Sequence, residues 1–319
     1  MERINAMTIG DVVLDWTPYP EIYKNDNIHP CVRYIPEGFN GHKWWMCTTP
    51  YPIQDSNVEN PILYYGDSET STPPTSWLGG VVVEGSPSKG YNSDCNLFYD
   101  GARLWIFWRE NYTQDTSAID ANRAVFGKYT LDGTTFSDKK LFCKDTFSVE
   151  GKNGDTEMCP CVAMIGDKLK MYATHYEFLP TRQPYGLAIW GIENNDLMNH
   201  QFVYEKTTGL LYKKNFNFWH FDMFQYDGKY YCVTSPELGN EILLGVSDDG
   251  VNFKFWNTPL ISQDVAKVGY YYYKPTAMVI DGILYLWHPV RIGNTSKIYM
   301  DFRPMSEVLQ VLNDSISNM

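Results

Sequence analysis

Five times along this 319-residue chain a short block recurs: a polar lead-in, an apolar run, a tight turn and an aromatic strand. The blocks are His29-Pro30-Cys31-Val32-Arg33-Tyr34, Asp94-Cys95-Asn96-Leu97-Phe98-Tyr99 and Cys159-Pro160-Cys161-Val162-Ala163-Met164. Two more follow, His220-Phe221-Asp222-Met223-Phe224 and Lys274-Pro275-Thr276-Ala277-Met278. Their starts lie 65, 65, 61 and 54 residues apart (94−29, 159−94, 220−159, 274−220). Repeats of this length, built of strands and turns, predict a β-propeller, here all-β with five blades. Each block then places an innermost strand beside one central channel.

The repeat sets the domain plan. Residues 1–28 read as a lead-in, with Val12-Val13-Leu14 as a strand that closes the ring from the N-terminal side. Residues 29–303 form the five-bladed propeller, with blades starting near 29, 94, 159, 220 and 274. Residues 304–319 read as a short helix, because Met305, Val308, Leu309, Leu312 and Ile316 mark one face at helical spacing. Asp-Gly pairs recur at 100–101, 132–133, 227–228, 249–250 and 281–282. They supply the positive φ angles that tight hairpins need.

Composition narrows the partners. Net charge is −12 and no basic run exists, which argues against nucleic acid. No stretch is long and apolar enough to insert in a membrane. A neutral oligo- or polysaccharide suffers no charge penalty, and 24 Tyr, 16 Phe and 10 Trp offer stacking surfaces as well as strand formers. Seven cysteines, an odd number, without an apolar signal core at Met1-Glu2-Arg3-Ile4-Asn5, predict reduced thiols in a protein folded in a cytoplasm. Later release in a virus particle stays open.

The entry ends of the innermost strands share one mouth, so widely separated polar residues become neighbours there. They are His29, Asp94, Glu157, His220 with Asp222, and Lys274; Asp26, Arg109 and Tyr273 follow close by. Carboxylates, imidazoles and aromatics at a funnel mouth suit sugar chemistry, where one carboxylic acid protonates a leaving oxygen and one carboxylate activates water or attacks. Glu157 is the expected acid, Asp94 its positioning partner, and His29 or Asp26 the base end. His220, Asp222, Arg109, Trp219, Trp45 and Tyr273 are the expected sugar contacts. Cys159-x-Cys161 has the wrong spacing for a zinc knuckle, so no residue is assigned to a metal and no cofactor is expected. A Ca²⁺ in the channel stays open, since histidines and carboxylates meet there.

These residues also carry a resemblance. Ser93-Asp94-Cys95 is similar to the second catalytic element of the five-bladed arabinanase/xylosidase and invertase/levansucrase glycoside hydrolases. Glu157-Met158-Cys159-Pro160 resembles the invertase-type Glu-Cys-Pro element with one residue inserted. The first element departs: His29-Pro30 stands where those families carry Asp-Pro, and Asp26 lies three residues earlier. A closer likeness is to glycosidase-like propellers of phage tail proteins and gut bacteria. It rests on His29-Pro30-Cys31-Val32, Gly41-His42-Lys43-Trp44-Trp45-Met46, Thr49-Pro50-Tyr51-Pro52, Glu59-Asn60-Pro61 and Trp219-His220-Phe221-Asp222. The resemblance implies a glycan-recognising propeller that hydrolyses a glycosidic bond at the channel mouth. Its rival is a non-catalytic receptor-binding module of a phage tail, working as a homo-oligomer or with tail-assembly partners.

Overall fold

The computed structural model describes residues 15–16, 26–111, 123–145, 155–178, 182–209, 218–236, 239, 241–262 and 270–317; side chains at 155–158 and 270–271 are among those outside the description. The expected strand at Val12-Val13-Leu14 also lies outside the described residues.

The fold is an all-β five-bladed propeller with one C-terminal helix. Blade 1 holds β1 (Asp15–Trp16), β2 (Asn27–Phe39), β3 (His42–Pro50), β4 (Ile62–Gly66) and β5 (Ser76–Val82), in the order β1-β5-β4-β3-β2. Blade 2 is β6 (Tyr91–Tyr99), β7 (Leu104–Asn111), β8 (Arg123–Thr130) and β9 (Lys140–Lys144). Blade 3 is β10 (Asp155–Ile165), β11 (Lys168–Phe178), β12 (Arg182–Ile192) and β13 (Phe202–Gly209). Blade 4 is β14 (Phe218–Tyr226), β15 (Lys229–Pro236) and β16 (Glu241–Ser247), with β17 (Lys254–Phe255) and β18 (Ile261–Ser262) both pairing with β16. Blade 5 is β19 (Tyr270–Tyr272), β20 (Thr276–Ile280), β21 (Ile283–Ile292) and β22 (Thr295–Pro304).

The hairpin signals act in two ways. Asp227-Gly228 and Asp281-Gly282 have positive φ at both residues, the two-residue turn expected of them. Asp132 and Asp249 instead accept two backbone N–H groups each, from Thr134 and Thr135 and from Val251 and Asn252, so there the aspartate side chain makes the turn.

Apolar side chains gather into five buried clusters, one for each seam between neighbouring blades. The seam between blades 5 and 1 packs Trp287, Ile298 and Met300 on Val32, Trp44 and Trp77. The helix α1 (Met305–Ser317) buries Met305, Val308 and Leu312, from the face its periodicity marks, against blades 4 and 5. Asp26 closes the ring. Its Oδ1 accepts the Ser296 N–H at 2.7 Å, and its carbonyl accepts from Tyr51 N at 2.6 Å, which ties the start of blade 1 to blade 5.

Every innermost strand breaks its ladder at the same height. The register shifts fall between Ile28 and Cys31, Ser93 and Asn96, Glu157 and Cys161, and Phe218 and His220. In blade 5 the gap between β19 and β20 spans Tyr273-Lys274-Pro275. Three of the five breaks contain a proline, Pro30, Pro160 or Pro275, which has no N–H to give the ladder. His29 and Asp94 sit in the left-handed region, φ +55° and +56°, a conformation costly for residues with a Cβ. Bulges re-aim side chains, and these aim theirs into the mouth of the channel.

Candidate metal centre at the channel mouth

Three of the bulged strands converge on one carboxylate. Asp94 Oδ1 lies 3.2 Å from His29 Nε2 and 3.0 Å from His220 Nε2, while Arg109 Nη2 holds Oδ2 at 2.7 Å. All four side chains are buried. Burial opposes ionisation of Asp94, but the Arg109 guanidinium and the two imidazoles outweigh it and hold the carboxyl well below its usual range. Burial pushes both imidazoles the other way, His29 well below the ordinary value, so they stand neutral.

One hydrogen bond and three ring contacts fix the imidazoles. His29 Nδ1 lies 2.8 Å from Thr49 Oγ1, and the tautomer that donates Nδ1–H there leaves the Nε2 lone pair facing Asp94. Trp219 stacks on His220 at 4.7 Å, and Tyr273 packs over both rings, 5.0 Å from His29 and 4.8 Å from His220. Behind His29, Glu59 is buried in the loop before β4, with Oε2 3.8 Å from Nδ1. Burial, reinforced by the Asp94 charge, pushes its carboxyl up to about 8. Burial likewise raises the Tyr273 phenol well above its usual value, so it stays a hydrogen-bond donor.

The unpaired atoms decide what the cluster can hold. Among the described residues His29 Nε2, His220 Nε2 and Asp94 Oδ1 are buried and face one another with no other partner in hydrogen-bond geometry, while Asp94 Oδ2 is held in the Arg109 ion pair. Buried polar atoms are costly when unsatisfied. One ring nitrogen of each histidine and one carboxylate oxygen of Asp94 lie within 4.8 Å of one another, a donor set suited to a divalent transition ion. Ligands about 2.0–2.1 Å from a tetrahedral ion stand about 3.3 Å apart, close to the 3.0 and 3.2 Å seen here. The residues therefore fit such an ion. Thr49 and Arg109 supply the outer contacts that orient ligands in metal sites.

Beneath this layer a second one crosses the channel. Arg33 forms a bidentate pair with Asp222 at 3.0 and 3.1 Å, and Thr276 Oγ1 donates to Asp222 Oδ2 at 2.5 Å. Lys274, fully buried, donates to the Cys95 carbonyl at 2.6 Å, and the Cys95 thiol donates to the His29 carbonyl at 3.2 Å.

The sequence-predicted residues thus separate. His29, Asp94, Arg109, His220, Trp219 and Tyr273 meet at one point. Asp222 belongs to the layer below, Asp26 to the ring closure, and Trp45 to the core seam between blades 1 and 2. The Glu157 backbone pairs with Thr174 in blade 3, and its side chain lies outside the described residues. No residue was assigned to a metal from the sequence, yet the fold brings together three that can bind one. Glu59 and Thr49 were not singled out as functional; Glu59's one signal is an acidic residue in an otherwise apolar-flanked Glu-Asn-Pro step.

No protein-family model matches the chain, and no curated protein matches it in sequence. Solved structures do match. An N-acetylgalactosamine deacetylase from F. plautii, in complex with blood group B trisaccharide, aligns over 97% of this chain and 98% of its own, with TM-score 0.71 and 16% identity. This chain shares the fold of carbohydrate-active propeller enzymes. The GH43 β-xylosidase/α-arabinofuranosidase CoXyl43 from a compost microbial metagenome aligns over 94% of both chains, with TM-score 0.61 and 11% identity. The GH43 protein BlXynB from Bacillus licheniformis aligns over 93% of this chain and 54% of its own, with TM-score 0.62 and 10% identity.

Proposed function

We propose that the protein is a carbohydrate-active hydrolase that uses a divalent ion to remove an acyl group from a sugar, rather than to cut a glycosidic bond. The observation that carries this reading is the convergence of His29, Asp94 and His220 at the position of the channel mouth. Glycosidic hydrolysis by paired carboxylates needs one of them free to act as base or nucleophile. Here Asp94 is locked by Arg109 and two imidazoles, and His29-Pro30 stands where the glycosidases that the sequence resembles carry Asp-Pro. Similarity of fold to a deacetylase supports the same reading.

His29, Asp94 and His220 would hold the ion. Bound there, such an ion would supply Lewis-acid polarisation of an acyl carbonyl and a lowered pKa for water. The protein's own groups then do the rest. Thr49 keeps Nε2 of His29 directed inward, and Arg109 keeps Asp94 charged and oriented. The Glu59 carboxyl, about one-tenth ionised at neutral pH, acts in that ionised form: it takes a proton from the attacking water and returns it to the leaving nitrogen. A carbon–oxygen bond forms and the carbon–nitrogen bond breaks; the second proton of the water passes from the new acid to the amine, so a carboxylate and a protonated sugar amine leave. The faces of Trp219 and Tyr273 flank the site and offer stacking surfaces to a sugar ring.

The test is one panel of N- and O-acetylated sugars and oligosaccharides, scored on the same samples for released acetate and for new reducing ends, beside metal analysis of the purified protein. Acetate release that stops on chelation, returns with a divalent ion and is lost in Asp94→Asn and His220→Ala is the expected result. Reducing ends that appear in the presence of chelator would overturn it in favour of glycosidic cleavage. Saturable binding with neither product would make the mouth a recognition site.

A further inference from the structure

The charges around the channel, among the described residues, balance only while Glu59 is ionised. Among the described residues, the charged groups lining it are three cations, part-buried Arg33 with buried Arg109 and Lys274, and three buried carboxylates, Asp94, Asp222 and Glu59, beside the neutral imidazoles of His29 and His220. Two pairs cancel: Arg109 with Asp94 at 2.7 Å, and Arg33 with Asp222 at 3.0 Å. Among the described residues Lys274 donates to the neutral Cys95 carbonyl and to no carboxylate, feeling Asp94 and Asp222 only through space. With Glu59 ionised the channel is neutral before an ion enters, and with Glu59 protonated it carries one surplus positive charge. A divalent ion then leaves it two or three charges positive, because the three ligands supply one negative charge between them. Uncompensated charge in a dry site is expensive, so an anion is drawn in to complete it.

The molecule as a whole carries −12, so this positive spot is local. On charge alone a small anion is favoured there over an extended polyanion, which meets the repulsion of the surrounding surface. The two aromatic walls and the full burial of the ligands also limit the size of what enters.

We propose that the mouth is a small-carboxylate site, with Lys274 as its fixed cationic floor, so that the acid released by deacylation stays bound and opposes the next turnover. The inference rests on the metal-dependent reading above and deepens it by naming the anion that the site retains.

The experiment compares acetate with acetamide, which has the same shape and no charge, by calorimetric titration of the metal-loaded protein. Acetate is expected to bind at least tenfold more tightly than acetamide. In Lys274→Met acetate binding is expected to weaken about tenfold or more, with acetamide and metal content unchanged, and Lys274→Arg is expected to restore it. Equal binding of the two probes by the native protein, or undiminished acetate binding in Lys274→Met, overturns the proposal. Should Lys274→Met fail to fold, Lys274→Gln and the native acetate-to-acetamide ratio still decide it. Metal content, measured on the same samples, reports separately on the metal reading.

Discussion

At the scale of single residues, the site depends on groups held in states that water would not favour. Glu59 is the clearest. Its folded value of about 8 stands above the ordinary 4.5, so between those values the unfolded chain has lost a proton that the folded protein keeps. Folding stability therefore falls as pH rises through this window, by up to about 1.4 kcal/mol per pH unit, and the loss is complete above the folded value. Thermal melts of metal-free protein from pH 5 to 9 should show this slope, and Glu59→Gln should flatten it. Asp94 works in the opposite sense, since its carboxyl is depressed in the folded state, chiefly by Arg109 against the pull of burial. Asp94→Ala leaves the Arg109 charge buried beside two neutral rings, and a loss of about 3–5 kcal/mol is expected on urea titration.

At the scale of elements, the blades are held by close seams, and the closest approaches are at glycines. Gly133, in the turn after β8, has φ +75°, and a Cβ there would lie 2.4 Å from the Trp45 ring of blade 1. Gly133→Ala should cost about 2–3 kcal/mol through strain and overpacking, read as a lower urea midpoint with an unchanged slope. This also explains why Trp45, an expected sugar contact, serves as core: the neighbouring blade's turn closes over it. The helix makes a parallel case. Leu312 is fully buried against blades 4 and 5, and Leu312→Ala should cost about 2–5 kcal/mol without altering metal binding.

At the scale of the whole molecule, ring closure runs through Asp26. Asp26→Asn keeps an oxygen for the Ser296 N–H and should leave stability and turnover close to native, whereas Asp26→Ala should lower stability by about 1–3 kcal/mol. Lost turnover in a stable Asp26→Asn protein would return Asp26 to the chemistry. The plan of the ring was legible because its period is written in the chain: the expected block starts at His29, Asp94, Cys159, His220 and Lys274 fall in or directly beside the five breaks of the inner strands. The ligand cluster was not legible as a metal site, because its members stand 65 and 126 residues apart (94−29, 220−94) and each looks alone in its own segment. Only closure of the ring gives them a common point. Glu59 was hidden for a different reason, since it comes from a loop pinned to β6 through Asn92 N and not from a repeat position. The five breaks at one height make the mouth a turret of interchangeable sockets. Each blade offers one short unladdered segment whose side chain can be exchanged while the seams behind it stay packed. A descendant of this chain could trade imidazole for carboxylate at a single socket, and so change the bond it attacks, without having to relearn how to fold.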